Sequence, residues 1–267
     1  MSNVSELKPL LKRLKLGAML NTLPERLTLA RRDQLDYAVF LQIILADEVS
    51  RRDNHNVEIR LQKAGFEDIC RLEDFDWKAG IRLDRRLLDS VCSLNFLSRH
   101  EHVLLVGPVG VGKSFLAQSL GYAAVRAGHS VRFIRADTFF RTLAQARVDH
   151  TLEKVFRSFM APDVLILDDF GLQRLNAQQS TDLYELIIAR HHRSSLIITS
   201  NRAVDEWLGI FDDPVLGNSA LDRLANASYQ IVIEGDSYRQ RQSPHRRKDT
   251  VTVLSVGVEK SKRDLKI

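Results

Sequence analysis

The feature that most constrains this chain is Gly107-Pro108-Val109-Gly110-Val111-Gly112-Lys113-Ser114. It fits G-x-x-x-x-G-K-[ST], a loop whose backbone N–H groups curl around phosphate oxygens. The pattern carries weight only between a strand and a helix, and both flanks are present. His102-Val103-Leu104-Leu105-Val106 reads as a short buried strand. From Phe115 to Ala127 the apolar residues Phe115, Leu116, Leu120 and Ala124 recur at helical spacing. A helix that starts at the loop adds partial positive charge where phosphate sits. In such a loop Lys113 reaches the β- and γ-phosphates and the Ser114 hydroxyl holds Mg²⁺. All eight residues, Gly107 through Ser114, are therefore candidate contacts for a nucleotide.

From residue 102 onward strands and helices alternate. Strands are expected at 102–106, 131–135, 163–168, 195–200 and 229–233, with helices between them and Gly128 closing the first helix. The strands are nearly continuous apolar runs, which argues an α/β fold with a five-stranded parallel sheet covered on both faces. In such sheets ligands gather at the carboxyl ends of the strands. The polar clusters of this chain fall at those ends. Val164-Leu165-Ile166-Leu167-Asp168-Asp169 is an apolar strand closing on two acids, 54 residues after Ser114. The first, Asp168, is placed to bind Mg²⁺ through its water shell. The second, Asp169, stands where a general base belongs beside the γ-phosphate. Leu196-Ile197-Ile198-Thr199-Ser200-Asn201 is the next apolar strand with a polar end. Asn201 is the first choice there to sense the γ-phosphate or the attacking water, and Thr199 the second. Arg223, in Leu221-Asp222-Arg223-Leu224, is a candidate arginine finger offered to a neighbouring subunit. Arg239, after the last strand, is a candidate second nucleotide contact.

The segments outside this unit are less explicit. Residues 1–65 read as a small all-helical domain for partner or DNA contact. A helix over 5–20 carries Leu7, Leu10, Leu11, Leu14 and Ala18 on one face. Pro24 interrupts, Asp33 with Asp36 marks a second helix start, and helical sequence stops near Gly65. Basic residues, among them Arg51 and Arg52, give this unit cationic faces. Residues 66–80 read as a linker, 84–98 as a helix, and 81–240 as the nucleotide-binding domain. Residues 241–267 form a basic tail. From Arg239 onward nine Lys and Arg face three Asp and Glu.

The formal net charge of +5 over 267 residues suits a nucleic-acid partner. Two cysteines without metal-like spacing, no apolar run of membrane-spanning length and no leader pattern fit a reduced, cytoplasmic setting away from membranes.

Several stretches together carry a family resemblance. They are Leu72-Glu73-Asp74-Phe75-Asp76, the loop Gly107 to Ser114, Leu167-Asp168-Asp169-Phe170-Gly171, Thr199-Ser200-Asn201-Arg202, Leu221-Asp222-Arg223-Leu224 and Gly235-Asp236-Ser237-Tyr238-Arg239. In this order they resemble the IstB-like ATPases, helpers of transposition encoded beside a transposase in bacterial insertion sequences. More distantly they resemble the helicase loader DnaC. The resemblance implies an AAA+ ATPase that uses ATP and Mg²⁺ and assembles as a homo-oligomer on double-stranded DNA. It also implies stimulation of the transposase encoded by the same insertion sequence. It leaves the tail 241–267 unassigned. A replicative helicase loader would use the same engine with another partner. A small-molecule kinase on a P-loop fold is the third class, and it would leave the helical front and the basic tail idle.

Overall fold

A computed structural model of the chain describes residues 4–77 and 80–238. Arg239 and the basic tail 241–267 lie outside the described residues. Five strands form one parallel sheet: β1 His102–Val106, β2 Val131–Arg135, β3 Val164–Phe170, β4 Ser195–Ser200 and β5 Ser228–Val232. Their order is β2-β3-β4-β1-β5. The register pairs Val106 with Ser200 and Val232, Leu167 with Ile198, and Arg135 with Asp168. The carboxyl ends of β3, β4 and β1 are thus side by side. This brings the phosphate loop, the two acids and Asn201 to one edge.

Side chains alternate across the sheet with the strand period of two. Val103, Leu105, Ile166, Ile197 and Ile231 enter one core, with Leu116 and Leu120 of the loop helix. Leu104, Leu165, Leu167, Leu196 and Ile198 enter the other, with Phe139, Phe159, Leu186 and Leu224. The central strands β1, β3 and β4 are buried on both faces, which is why they read as apolar runs, while the edge strands β2 and β5 are partly exposed.

Ten α-helices are described. The first three are α1 Val4–Arg13, α2 Leu23–Arg32 and α3 Tyr37–Ala64. The short α4 Arg85–Cys92 and α5 Asn95–Ser98 precede β1, and α6 Lys113–Arg126 follows it. Then come α7 Ala136–Val148, α8 Leu152–Met160, α9 Ala177–Arg190 and α10 Pro214–Asn226.

Three helix expectations need correction. The single helix over 5–20 ends at Arg13, because Lys15 turns left-handed at φ 58° and a 3₁₀ turn takes Gly17–Asn21. Leu7, Leu10 and Leu14 stay exposed. The helix expected from Asp33 starts later: Asp33 closes α2, and Asp36 caps α3 by accepting from Ala38 N–H at 2.9 Å. The helix over 84–98 breaks at Leu94, φ 61°.

The basic faces of the front helices are partly committed. Arg51 and Arg52 both donate to the buried Glu48, at 2.8 and 2.7 Å, and Arg52 also reaches Lys15 O at 2.9 Å. Arg26 pairs with Asp47 at 2.7 Å and ties α2 to α3. The far end of α3 joins the sheet: Val57, Leu61 and Ala64 pack into the core. Gln118 of α6 then accepts from Glu67 N–H and Asp68 N–H at 3.0 and 3.1 Å.

At the amino edge two basic groups are fully buried. Arg190 donates to Phe159 O, Pro162 O and Ser195 O at 2.8 to 3.0 Å, fastening the α8–β3 turn to β4. His102 opens β1, and its Nδ1 accepts from Leu196 N–H at 3.1 Å. Burial, with the Arg190 charge nearby, pushes the His102 imidazole down to about 4 from its ordinary 6.5. It is therefore neutral in the folded state at neutral pH. As pH falls, the unfolded chain takes up this proton first. The stability that goes with a neutral His102 is full above pH 6.5 and is lost between 6.5 and about 4. The loss is about 3 kcal/mol at roughly 1.4 kcal/mol per pH unit. Urea unfolding from pH 7.5 to 4 should show the parent losing that much more stability than His102→Gln. Parallel curves for the two proteins would contradict the assignment.

Candidate nucleotide-binding site

A cleft of about 430 Å³ opens over the carboxyl edge of the sheet. Its floor is the loop from Val109 to Ser114, and Asp169 and Asn201 enter it from β3 and beyond β4. Its apolar wall is Phe75, Ile81 and Phe115, and Tyr238 closes another side. The sheet order dictates this gathering, since β1, β4 and β3 are neighbours.

The loop is shaped for an anion. Gly110 and Gly112 have φ of 84° and 94°, which side-chain-bearing residues adopt only with strain. Such turns aim successive N–H groups into one concavity. Gly112 also caps α6, so the helix N-terminus faces the cleft. Lys113 is buried at 5% exposure, and its Nζ donates to Gly107 O at 2.8 Å and Pro108 O at 2.6 Å. The ammonium is thereby held over the loop.

Asp168 is 2% exposed at the end of the apolar β3. Burial raises its carboxyl above the usual carboxylate range, and hydrogen bonds from Thr199 and Ser114 offset only part of that rise. Asp169 stands at φ 56°, and β3 shifts its pairing with β4 between Leu167 and Phe170. This irregularity turns the second acid out of the strand and into the cleft. It also carries β3 to Phe170, beyond the expected end at 168.

One hydroxyl joins the two acids. Thr199 Oγ1 donates to Asp168 Oδ1 at 2.6 Å and accepts from Asp169 N–H at 2.9 Å. Thr199 itself is fully buried. It braces the acids from behind, while Asn201 is the residue that lines the cleft. Arg202 Nε donates to Gly171 O at 2.7 Å and secures the turn after the acids.

A magnesium ion fits this donor set. Among the described residues no group of three His, Cys, Asp or Glu could hold a metal alone. Magnesium at phosphates usually takes only one or two protein ligands and keeps its waters. Ser114 and Asp168, adjacent enough to hydrogen-bond, supply that minimal pair.

One expected residue, Arg223, is not in the cleft. Arg223 is on the last turn of α10, where its Nη1 donates to Ser219 O at 2.8 Å and Ser219 Oγ at 2.6 Å. The following β5 starts at Ser228, opposite His102, so Arg223 is at the amino edge of the sheet. Arg239 lies outside the described residues. The sequence reading also overlooked Arg135. It ends β2 and pairs with Asp169 Oδ2 at 3.2 Å and Asp137 at 3.5 Å. The rule that ligands collect at strand ends would have flagged it. The phenyl of Phe75 and the Tyr238 segment gave no such signal, because they reach the cleft from outside the sheet.

Comparison with known proteins identifies the family and the fold. The model of a family described as IstB-like ATP binding protein matches residues 9–246. An insertion-sequence ATP-binding protein of Mycobacterium tuberculosis is 42% identical over 241 residues, covering 90% of this chain and 96% of that one. The insertion sequence IS21 ATP-binding protein of Pseudomonas aeruginosa is 35% identical over 237 residues, 89% of each chain. Among solved structures, the replication initiator DnaA bound to AMPPCP and single-stranded DNA superposes with a TM-score of 0.53 at 20% identity. That match covers 64% of this chain and 52% of the other, and it supports the AAA+ fold. Among the described residues no helix is long and apolar enough to cross a membrane.

The Thr199 bridge makes a prediction about stability. Thr199→Val keeps the shape but leaves the Asp168 carboxyl and the Asp169 N–H each short of a partner. Denaturant unfolding should show a loss of about 2–3 kcal/mol, and Thr199→Ser should lose less than about 1.5. Parental stability in Thr199→Val would contradict the bridge.

Proposed function

The chain belongs to the family of IstB-like ATP-binding proteins, and on that footing we propose that it is a Mg²⁺-dependent ATPase serving transposition. It binds ATP at Gly107–Ser114, assembles as a homo-oligomer on double-stranded DNA, and assists the transposase encoded by the same insertion sequence. The setting is the cytoplasm. The relatives' names, which place them in insertion sequences, support the biological half of this reading. The chemical half is supported above all by the Asp168–Thr199–Asp169 cluster beside a phosphate-shaped loop.

Each residue has a task in this reading. Lys113 neutralises the β- and γ-phosphates, and the loop N–H groups orient them. Ser114 and Asp168 would hold Mg²⁺, which would supply charge neutralisation at the phosphates. Asp169 accepts the proton of the attacking water, and Thr199 keeps its backbone in place. Asn201 orients the water or the γ-phosphate. Arg135 pairs with Asp169 and sets where its carboxylate points.

Arg223 acts in trans. Its place at the edge opposite the cleft supports this, because its own loop is beyond its reach. A monomer then lacks a complete site, and DNA that gathers subunits raises hydrolysis. ATP held between subunits keeps them together until cleavage. Residues 1–65 serve as the partner-facing helical unit, 66–80 as the linker and 81–240 as the ATPase domain. Arg239 and the tail 241–267 add cationic charge toward nucleotide and DNA. Contacts to DNA are mainly to phosphates, so affinity falls steeply with salt.

Mixing inactive variants tests the arrangement. Lys113→Ala and Arg223→Ala should each lose on the order of 10²-fold or more in hydrolysis. Arg223→Ala should still bind ATP near the parental affinity, since its charge matters most in the transition state. Mixed on duplex DNA, the two should regain part of the activity: one offers an intact loop and the other an intact arginine. No recovery at any ratio, with mixed assemblies demonstrated by cross-linking, would rule out the trans role.

A further inference from the structure

The phosphate loop is pressed from behind by two segments that come from opposite ends of the domain. A Cβ at Gly107 would fall on the Ile233 carbonyl oxygen. One at Gly110 would fall on Ser237, 2.9 Å from its Cβ, and one at Gly112 would lie 2.8 Å from the Phe75 ring. Hydrogen bonds fix the same approach. Ile233 N–H donates to Val106 O at 2.8 Å, and Tyr238 N–H donates to Gly110 O at 2.9 Å. The two segments are also joined to each other. Arg82 and Glu234 exchange backbone hydrogen bonds of 2.8 and 2.9 Å in an antiparallel bridge. Gly235 packs so closely that a Cβ there would sit 3.1 Å from Gly80 O.

Contacts this tight make the loop's shape and the segment's position a single variable. The Tyr238 bond has a further effect. A phosphate is bound by converging N–H groups, and a carbonyl turned toward it would repel it. The Gly110 carbonyl is committed to Tyr238 N–H and is thereby kept off the anion.

We propose that Ser237 and Tyr238 are positioning residues of the phosphate loop, and that through them nucleotide occupancy is passed to the chain that continues beyond Tyr238. That continuation carries nine Lys and Arg against three Asp and Glu in residues 239–267, a charge suited to a polyanion such as duplex DNA. Nucleotide that settles the loop steadies Gly235–Tyr238. By linkage, an anchor on the residues beyond Tyr238 tightens nucleotide by the same factor. The inference rests on the nucleotide-binding reading of the cleft, and the test separates the two.

The test uses the full chain. Tryptic cleavage at Arg239 and Arg241 is followed by mass spectrometry with and without saturating Mg–ADP, and ADP affinity is measured by calorimetry. In the parent, ADP should slow cleavage at these two sites at least threefold. Cleavage at Arg31, exposed on α2, should not change. Ser237→Val adds bulk against Gly110. It should weaken ADP at least tenfold and raise the ADP concentration for half-protection by the same factor. Ser237→Thr, which adds one methyl group, should shift both in the same direction by less, and it serves if the valine variant folds poorly. A parent that binds ADP with unchanged cleavage at Arg239 and Arg241 would overturn the coupling alone. Parental ADP affinity in both variants would overturn the positioning role. A parent that does not bind ADP would overturn the nucleotide reading and the inference with it.

Discussion

Asp168 is a carboxyl group buried at the end of a wholly apolar strand, and the site is built around that expensive placement. An ionised carboxylate in such surroundings persists only with hydrogen bonds and a nearby cation. The Thr199 hydroxyl, the Ser114 hydroxyl and the nearby Arg135 charge answer this demand. Parallel strand order supplies the neighbours: Thr199 comes from β4 and Ser114 from the loop after β1, each beside β3 or one strand away. In the proposed reading, the same crowding that satisfies Asp168 in the folded chain would also present it to a divalent cation and phosphate. Stability and chemistry therefore draw on one small cluster.

Much of this was legible in the sequence, and the reasons are physical. The central strands announced themselves because they are buried on both faces, and β1, β2 and β4 occupy the expected ranges. The phosphate loop was legible because its backbone shape demands glycine at fixed positions. What escaped was governed by contacts distant in sequence or by single backbone angles. Nothing in Lys15 or Leu94 signals a left-handed turn, yet each ends a helix that periodicity would have continued. Thr199 and Asn201 looked alike as polar strand-end residues. The end of β4 separates them: Thr199 is still within the strand and bonds the acids, while Asn201 lies past Ser200 and enters the cleft. Arg135 is 34 residues before Asp169, and their pairing depends on β2 and β3 being adjacent.

The appendages are tied to the engine by ordinary packing. The front helices reach the sheet through the last turns of α3, and the chain then passes Gln118 of the loop helix before Phe75 lands on Gly112. At the other end, Ile233 to Tyr238 lies against Gly107 and Gly110. Both exits from the domain thus touch the phosphate loop. In the proposed reading, a partner on the helical front and a polyanion on the chain beyond Tyr238 would each act on the nucleotide through these contacts. This is the arrangement expected of an ATPase whose cycle is governed by what it is assembled on. A small-molecule kinase would have no use for it.

The central claim is that Gly107–Ser114 binds ATP through the charge of Lys113. Calorimetric titration of Mg–ATP into the parent and into Lys113→Ala tests it most directly. The account predicts saturable binding to the parent and a loss of at least tenfold in affinity for the variant, with the melting temperature of the variant near that of the parent. Equal ATP affinity in the two proteins would contradict it.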